Sequence, residues 1–126
     1  MRGNAPIYTE RLFTSQSISA SANATSNPLD LRNIATNGFF SVQYTLTGTG
    51  TAKIEYNLSN EDAMTNLLEP TSAADIASGL TATSGPGADG KDVVSFAPEL
   101  ARWLRIKVTE TGGANAVVVT LDLAVQ

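Results

Sequence analysis

Residues 40–59, FSVQYTLTGTGTAKIEYNLS, decide the fold of this chain. Apolar side chains occupy every second position from Phe40 to Leu46 and again from Ala52 to Leu58. This alternation is typical of half-buried strands, because successive side chains of a strand point to opposite faces. The short Gly-Thr-Gly connection at residues 48–50 between the two runs predicts an antiparallel hairpin.

The C-terminal third repeats this arrangement. Residues 104–108 alternate between apolar and polar side chains, and residues 110–115 contain a Gly-Gly turn. Residues 117–125 then alternate again and are rich in β-branched side chains, which favour strands. We therefore predict a second hairpin whose last strand is held in a sheet close to the end of the sequence.

Other strands have weaker signals. Residues 12–22 alternate between serine and slightly more apolar side chains, which predicts a strand at the edge of a sheet. Residues 29–31 predict a second thin strand, and residues 23–27 are expected to connect the two. Residues 93–96 predict a further strand that ends before Pro98, which cannot donate to a strand ladder.

One or two very short helical turns are expected between residues 60 and 80. A Ser-x-x-Asp spacing, the signature of a capping box, starts at Ser59 and again at Ser72. The first predicted turn stops at Pro70, and the second stops at Gly79. Such short turns need packing against the rest of the chain to persist.

The fold class follows from these elements. Short strands, turn-rich connections and almost no helix predict an all-β, antiparallel β-sandwich that resembles a jelly roll. The 126 residues favour a single domain over residues 1–126, in which residues 1–10 form a possible extended N-terminal arm. Residues 81–90, which include Gly-Pro-Gly, are expected to form a mobile loop.

Composition excludes most familiar enzyme chemistry. The chain has no His and no Cys, so it cannot supply a Ser-His-Asp triad, a Cys/His zinc site or a disulfide. A net charge of −4 with scattered basic residues argues against a nucleic-acid partner. No apolar stretch approaches the ~20 residues of a membrane span, and no signal-peptide core is present. We expect no membrane contact, no cofactor and synthesis in the cytoplasm.

The low charge also bears on function. Only 16% of residues are charged, against roughly 25% in an average soluble domain. Small neutral polar side chains are cheaper to remove from water than charges are. This composition suits a protein that packs against neighbours, although many stable β domains are simply rich in Ser and Thr.

Paired carboxylates are the one common catalytic device left to the chain. None of the ten candidate acids between Glu55 and Asp122 lies in a distinctive sequence setting, so we predict that the protein is not an enzyme and has no catalytic residues. Residues 89–92, Asp-Gly-Lys-Asp, resemble part of a calcium loop in composition. A calcium loop needs about a dozen residues with a closing Glu, and the Lys would oppose a cation, so we predict a solvated turn and no metal.

Three residues of one strand are candidates for an interface. Trp103, Arg105 and Lys107 share the outward face of the strand at residues 103–109. An indole flanked by cations can form a protein-binding hot spot or a platform for a sugar. The alternative is that Trp103 packs under a loop or against the rim of the second sheet.

Three residues nearer the N-terminus are also candidates. Ile7 and Tyr8 lie in the possible arm, which either crosses to a neighbouring subunit or folds back on its own sheet. Phe39 and Phe40 place one ring on each face of a strand, so Phe39 is either exposed at an interface or covered by residues 60–90. The predicted interface therefore includes Ile7, Tyr8 and Phe39.

The sequence also resembles a group of phage proteins. Residues 40–56, Phe96-Ala97-Pro98 and residues 104–111, LRIKVTET, resemble small β-sandwich structural proteins from the virions of tailed phages and prophages. The resemblance extends over about residues 36–126 and provides no catalytic or ligand-binding residue.

This resemblance implies a non-enzymatic virion protein, most simply one that decorates or cements the capsid. Its partner would be the major capsid or tail protein, and the chain would form a homo-oligomer, with a trimer favoured. The virion would be its location after synthesis in the host cytoplasm. A tail or fibre accessory protein is the first alternative.

Two other classes stay open. A carbohydrate-binding β-sandwich module would stack Trp103, Tyr44 or Tyr56 on a sugar across a concave face. A hydrolase would place two acids roughly 5 to 9.5 Å apart in a cleft.

Overall fold

The computed structural model describes residues 6–34, 37–61 and 71–126. Within these ranges it has nine strands and no helix, hence no helix that could span a membrane. The strands are Tyr8–Ile18 (β1), Asn23–Thr25 (β2), Leu29–Asp30 (β3), Phe40–Gly48 (β4), Ala52–Ser59 (β5), Ala74–Leu80 (β6), Lys91–Phe96 (β7), Trp103–Glu110 (β8) and Val117–Val125 (β9).

The strands form two antiparallel sheets. The first sheet has the order β1-β9-β4-β7, and the second has the order β2-β8-β5-β6 with β3 also paired to β8. Early strands pair with late ones: β1 with β9, β2 with β8, β4 with β7 and β5 with β6. The chain thus resembles a long ribbon folded back on itself and wound into two layers, which is the jelly-roll arrangement. The predicted all-β sandwich is confirmed.

The apolar positions of the alternating runs fill the space between the sheets. Removing each such side chain from water contributes about 1.5–3 kcal/mol to folding. The first sheet buries Phe13, Ile18, Phe40, Val42, Tyr44, Leu46, Val117, Val119, Leu121, Leu123 and Val125. The second buries Leu29, Ala52, Ile54, Leu58, Leu80, Leu104, Ile106 and Val108.

Both predicted hairpins are wrong. Strand β4 pairs with β7 and β9, whereas β5 pairs with β6 and β8 in the other sheet. The connections at residues 49–51 and 111–116 therefore cross from one sheet to the other. Alternation specifies which face of a strand is buried but not its partner, so two consecutive apolar faces can meet across the core as well as side by side.

The two crossing connections touch at Gly50. Its backbone N–H donates to the carbonyl oxygen of Ala116 at 3.0 Å. A Cβ at residue 50 would lie 2.7 Å from the carbonyl oxygen of Asn115 and 2.8 Å from that of Ala116. Only glycine permits this approach of two backbones.

Glu110 joins three loops at the same end of the sandwich. Its buried carboxylate accepts hydrogen bonds from the backbone N–H groups of Thr51 (2.8 Å), Gly113 (2.7 Å), Ser21 (3.1 Å) and Gly112 (2.8 Å). These bonds, led by the one from Thr51, lower the pKa of Glu110 from 4.5 to about 2. The carboxylate therefore holds together the connections β1–β2, β4–β5 and β8–β9.

The second predicted helical turn is wrong, because residues 74–80 form the edge strand β6. The carboxylate of Asp75, expected to favour a helix start, instead lies 3.1 Å from the ammonium of Lys53 on the neighbouring strand. A capping signature is local and was overridden by pairing with β5. The first predicted turn falls on residues 62–70, which lie outside the described residues.

Other expectations have mixed outcomes. Strand β1 lies at a sheet edge, and β7 ends two residues before Pro98, both as predicted. The segment at residues 23–27 is not only a connection, since Asn23–Thr25 pairs with β8 as β2. The loop at residues 81–90 is present and is closed by backbone hydrogen bonds, including one from Gly90 N–H to the Ser84 carbonyl at 2.9 Å.

Candidate functional site

The outward surface of the first sheet differs from the rest of the molecule in its small, largely uncharged side chains. We call this surface the neutral face. In the register of the four strands, its outward positions are Ile7, Thr9, Arg11, Ser17, Phe39, Ser41, Gln43, Thr45, Thr47, Lys91, Val93, Ser95, Val118, Thr120, Asp122, Ala124 and Gln126. Only three are charged, and two of these, Arg11 and Asp122, pair at 2.9 Å.

Two exposed apolar side chains flank Gln126 at one end of the neutral face, and we call this pair the ridge. Ile7 and Phe39 are 67% and 65% exposed. Phe39 is fixed by backbone bonds to Gln126, whose carbonyl accepts at 3.2 Å and whose N–H donates at 2.9 Å. Phe39 is therefore held against β9 and needs little ordering to make a contact, and Ile7 directly precedes β1.

A shallow groove lies beside this ridge. It has a volume of about 260 Å³ and is lined by the ridge and by Ser41, Ala124 and Ser95, which occupy three neighbouring strands. Because these three side chains are short, they form a floor below the ridge. An apolar side chain of a partner could enter here without displacing a charge.

The structure brings Ile7 and Phe39 together, as a shared interface requires. Tyr8 pairs with Val125, and residues 8–10 all pair with β9 of the same chain. Tyr8 therefore has the second of its two predicted arrangements, in which the segment folds back on its own sheet. It lines a separate pocket with Pro6, Ile7, Asn33 and Ile34.

Trp103, Arg105 and Lys107 lie far from this ridge in the topology, on the outward surface of the second sheet. Trp103 is half-buried, and its indole N–H donates to the Glu61 carbonyl at 2.7 Å. The guanidinium of Arg102 stacks 5.0 Å from the ring centre. The indole is therefore engaged by its own chain, in agreement with the packed alternative.

Arg105 is not an exposed interface residue, so that prediction is wrong. It is 6% exposed, and its Nε donates to Asn57 Oδ1 at 3.3 Å. Burial lowers the pKa of Arg105 from its ordinary value, because removal from water disfavours the charged form. Alternation gave the right face of the strand but could not show that this position is covered. Lys107 is half-buried, opposite Glu55 and Thr25 in register.

The outward surface of the second sheet carries five charges, and we call it the charged face. They are Lys53, Glu55, Asp75, Arg105 and Lys107. Lys53 lies 3.1 Å from Asp75 and 3.7 Å from Glu55, and its pKa is raised, chiefly by the hydrogen bond to Asp75. Arg105 is already buried, so covering this face would remove the charges of Lys53, Glu55, Asp75 and Lys107 from water, which is costly.

The tyrosines considered as sugar-stacking residues pack within the chain. Tyr44 is buried in the core, as predicted, and burial raises its pKa. The ring of Tyr56 packs 5.2 Å from that of Phe96. Among the residues that the structure describes, no three potential metal ligands cluster.

Several neutral-face residues were not predicted from the sequence. Val93, 60% exposed, and the groove residues Ser41, Ser95 and Ala124 come from three strands that are distant along the chain. Their signal was present as small side chains at the outward positions of the alternating runs. It could not be assembled into a surface without knowing which strands share a sheet.

Trp103→Phe is expected to lower the free energy of unfolding by about 1 kcal/mol, because the bond to the Glu61 carbonyl is lost while most of the packing stays. Urea denaturation followed by circular dichroism measures this change. We expect the oligomeric state to stay that of the wild type. A change in oligomeric state with unchanged stability would instead assign Trp103 to an interface.

No family model matches the chain, and no curated protein matches it. A solved structure with a similar fold is a chain of the structure of infectious bursal disease virus Gx strain. The two are 13% identical with a TM-score of 0.50, and the match covers 94% of this chain but 31% of the viral chain. At this identity the likeness concerns the fold alone: nearly the whole of this chain is arranged like one part of a longer chain from a virus structure.

Proposed function

We propose that this protein is a non-enzymatic structural component of a tailed-phage virion, a decoration or cement protein that acts through protein–protein contacts. The observation that carries the proposal is the neutral face with its exposed Ile7–Phe39 ridge. An apolar ridge on a surface with little charge is cheap to desolvate and is suited to being covered by protein.

Two further observations support the proposal. Jelly rolls are a common architecture of virus capsids, and the fold is similar to part of a chain from a virus structure. The phage resemblance of residues 36–126 suggests the same setting. We propose the major capsid protein as the partner in the virion, and attachment to a tail or fibre would be an outcome of the same experiment.

The positions of its three proposed stacking rings disfavour the carbohydrate-binding alternative. Its three proposed stacking rings are those of Tyr44, Tyr56 and Trp103, and each packs within the chain. The neutral face presents mainly aliphatic and hydroxyl groups, and Phe39 is the one aromatic residue among the outward positions given above. Protein contact is therefore the function that this surface favours.

Binding of purified protein to phage shells that lack it tests the proposal. We expect wild-type protein to bind, and Phe39→Asp to weaken binding at least about tenfold, because a charge then replaces the centre of an apolar contact. The matched control is Leu100→Asp, since Leu100 is 98% exposed and lies outside the neutral face.

Absence of shell binding by the wild-type protein would contradict the proposed function. Equal losses for Phe39→Asp and Leu100→Asp would contradict the role of the neutral face. Retention on tails but not on shells would move the protein to the tail.

A further inference from the structure

A β protein can associate by pairing the exposed edge of a sheet with a strand of another copy. The edge strand β1 is unsuited to such pairing. The register of β1 against β9 shifts between Arg11 and Phe13 and again between Phe13 and Gln16. Ser15 has a φ of 45°, and its N–H donates to Thr120 Oγ1 at 2.9 Å. Bulges of this kind interrupt the row of backbone groups that another strand would need.

The edge of β7 has a regular register but is capped by carboxylates. Leu46 N–H donates to the carbonyl oxygen of Gly90, so the backbone groups of the even-numbered residues 90–96 bond to β4. Backbone groups alternate in direction along a strand, so those of Lys91, Val93 and Ser95 point away from the sheet. Asp92 Oδ1 accepts from Val93 N–H at 2.8 Å, and Asp89 Oδ1 accepts from Lys91 N–H at 3.3 Å. An added strand would have to displace two charged groups.

The edges of the second sheet are also poor templates. Strand β6 has two register shifts against β5, and the strands at the other edge, β2 and β3, are three and two residues long. Association by strand addition is therefore disfavoured at every edge that the structure describes. The faces of the sheets are what a neighbour can cover.

Charge favours the neutral face for contact with a second copy. The whole chain carries −4, whereas Arg11, Lys91 and Asp122 sum to +1 on the neutral face. Two copies that meet through this face therefore avoid most of the repulsion that their net charges would otherwise cause. The charged face also sums to +1, so the neutral face is favoured by its smaller number of charges: two neutral faces bring six charges together, whereas two charged faces bring ten, including the buried Arg105 of each copy.

The shape of the neutral face is self-complementary. The apolar ridge of Ile7 and Phe39 stands beside the low floor of Ser41, Ala124 and Ser95 on the same surface. A two-fold axis can set the ridge of each copy against the floor of the other, which is what an isologous interface requires. A three-fold ring would need two different complementary patches.

We propose that two copies of this chain pack neutral face to neutral face about a two-fold axis, with each Ile7–Phe39 ridge against the partner's groove. This proposal rests on the proposed function, in which the neutral face is the assembly surface: the face contacts a second copy of the chain, and the major capsid protein contacts surfaces that the dimer leaves exposed. A dimer would replace the trimer expected from the sequence. The weakened attachment of Phe39→Asp to shells then follows from losing the avidity of two linked copies.

The area of the neutral face sets the expected affinity of the dimer. Four strands about 4.8 Å apart and about nine residues long at 3.3 Å each give roughly 600 Å² per copy. Stable interfaces bury about 800 Å² per partner, so the dimer is expected to be weak and to dissociate on dilution.

Sedimentation equilibrium of the full chain over a concentration series tests the proposal. We expect a monomer–dimer equilibrium whose dissociation constant rises at least about tenfold in Ala124→Arg and in Phe39→Asp. Leu100→Asp is the control and is expected to leave it unchanged. Thermal melts show whether each variant is folded. If Ala124→Arg does not fold, Phe39→Asp still tests the interface.

Cysteine cross-linking gives a second measurement, because the chain has no cysteine of its own. Ala124→Cys lies on the groove floor and is expected to form a covalent dimer with a short bismaleimide. Lys107→Cys on the charged face is the control and is expected to stay monomeric.

A monomer at every concentration would overturn the dimer, as would a dimer unaffected by Ala124→Arg or one cross-linked through Lys107→Cys. If the protein is monomeric but Phe39→Asp still loses shell binding, the face binds the shell directly, so this inference fails and the proposed function stands. If the dimer forms but the wild-type protein does not bind shells, the dimer inference stands and the proposed function fails.

Discussion

Replacement of Glu110 by glutamine is expected to lower the unfolding temperature by roughly 10 °C or more. The carboxylate accepts four backbone hydrogen bonds between 2.7 and 3.1 Å while buried at the meeting point of three loops. A glutamine side chain has one acceptor oxygen, and its amide group presents donors to donors. Buried N–H groups would then lack partners, which costs more than the bonds themselves contribute.

Differential scanning calorimetry at neutral pH measures this effect. Asp122→Asn is the matched control, because it removes a carboxylate whose partner is the exposed Arg11. Exposed ion pairs contribute little, so we expect a shift of a few degrees at most. Equal shifts for the two variants would contradict the role of Glu110.

The same carboxylate gives the stability a specific dependence on pH. The pKa of Glu110 falls from 4.5 to about 2 on folding, so its stabilisation is complete above about pH 4.5 and is lost as the pH falls towards 2. The unfolding temperature of the wild type should therefore decrease more steeply over this interval than that of Glu110→Gln. Parallel pH profiles would show that the carboxylate does not carry this dependence.

Gly50→Ala is the second variant with a large expected effect, a loss of about 2–3 kcal/mol in the free energy of unfolding. The added methyl group would lie 2.7–2.8 Å from backbone atoms of residues 115 and 116, which cannot rotate away. Either the bond from Gly50 N–H to the Ala116 carbonyl or the crossing of the two connections must give way.

Urea denaturation measures this loss. Gly87→Ala is the control, because a Cβ there would meet only the Asp89 side chain at 3.4 Å. We expect the control to differ little from the wild type. A Gly50→Ala protein as stable as Gly87→Ala would mean that the two connections are not in contact.

The sequence could predict strands and buried faces but not strand partners. Alternation from Phe40 to Leu46 and from Ala52 to Leu58 correctly identified two strands and their apolar sides. The short glycine connection between them fits both a hairpin and a crossing between sheets. The difference lies in the contact of Gly50 with residue 116, which is distant along the chain.

The same reason limited prediction of the candidate site. Ile7 is a candidate from the sequence as part of a possible arm, and Phe39 as one of two adjacent rings on opposite faces of a strand; the structure places both beside one groove. Arg105 was chosen by strand parity alone, which does not report what covers a position, and it is buried. Ser72 and Asp75 carried a helix-capping signature, yet partner strand β5 determined the outcome. Glu110 had no local signal, because its four donors come from three separate loops.

The pairing of β1 with β9 also affects how the molecule folds. Arg11 and Asp122 form their contact across 111 residues of chain, and the first sheet has β9 between β1 and β4. Closing so long a loop must precede the contacts that stabilise it, so we expect folding in the slow, high-contact-order class of milliseconds to seconds. Until β9 docks, the facing edges of β1 and β4 are unpaired, and this interval is when the nascent sandwich is most exposed to aggregation.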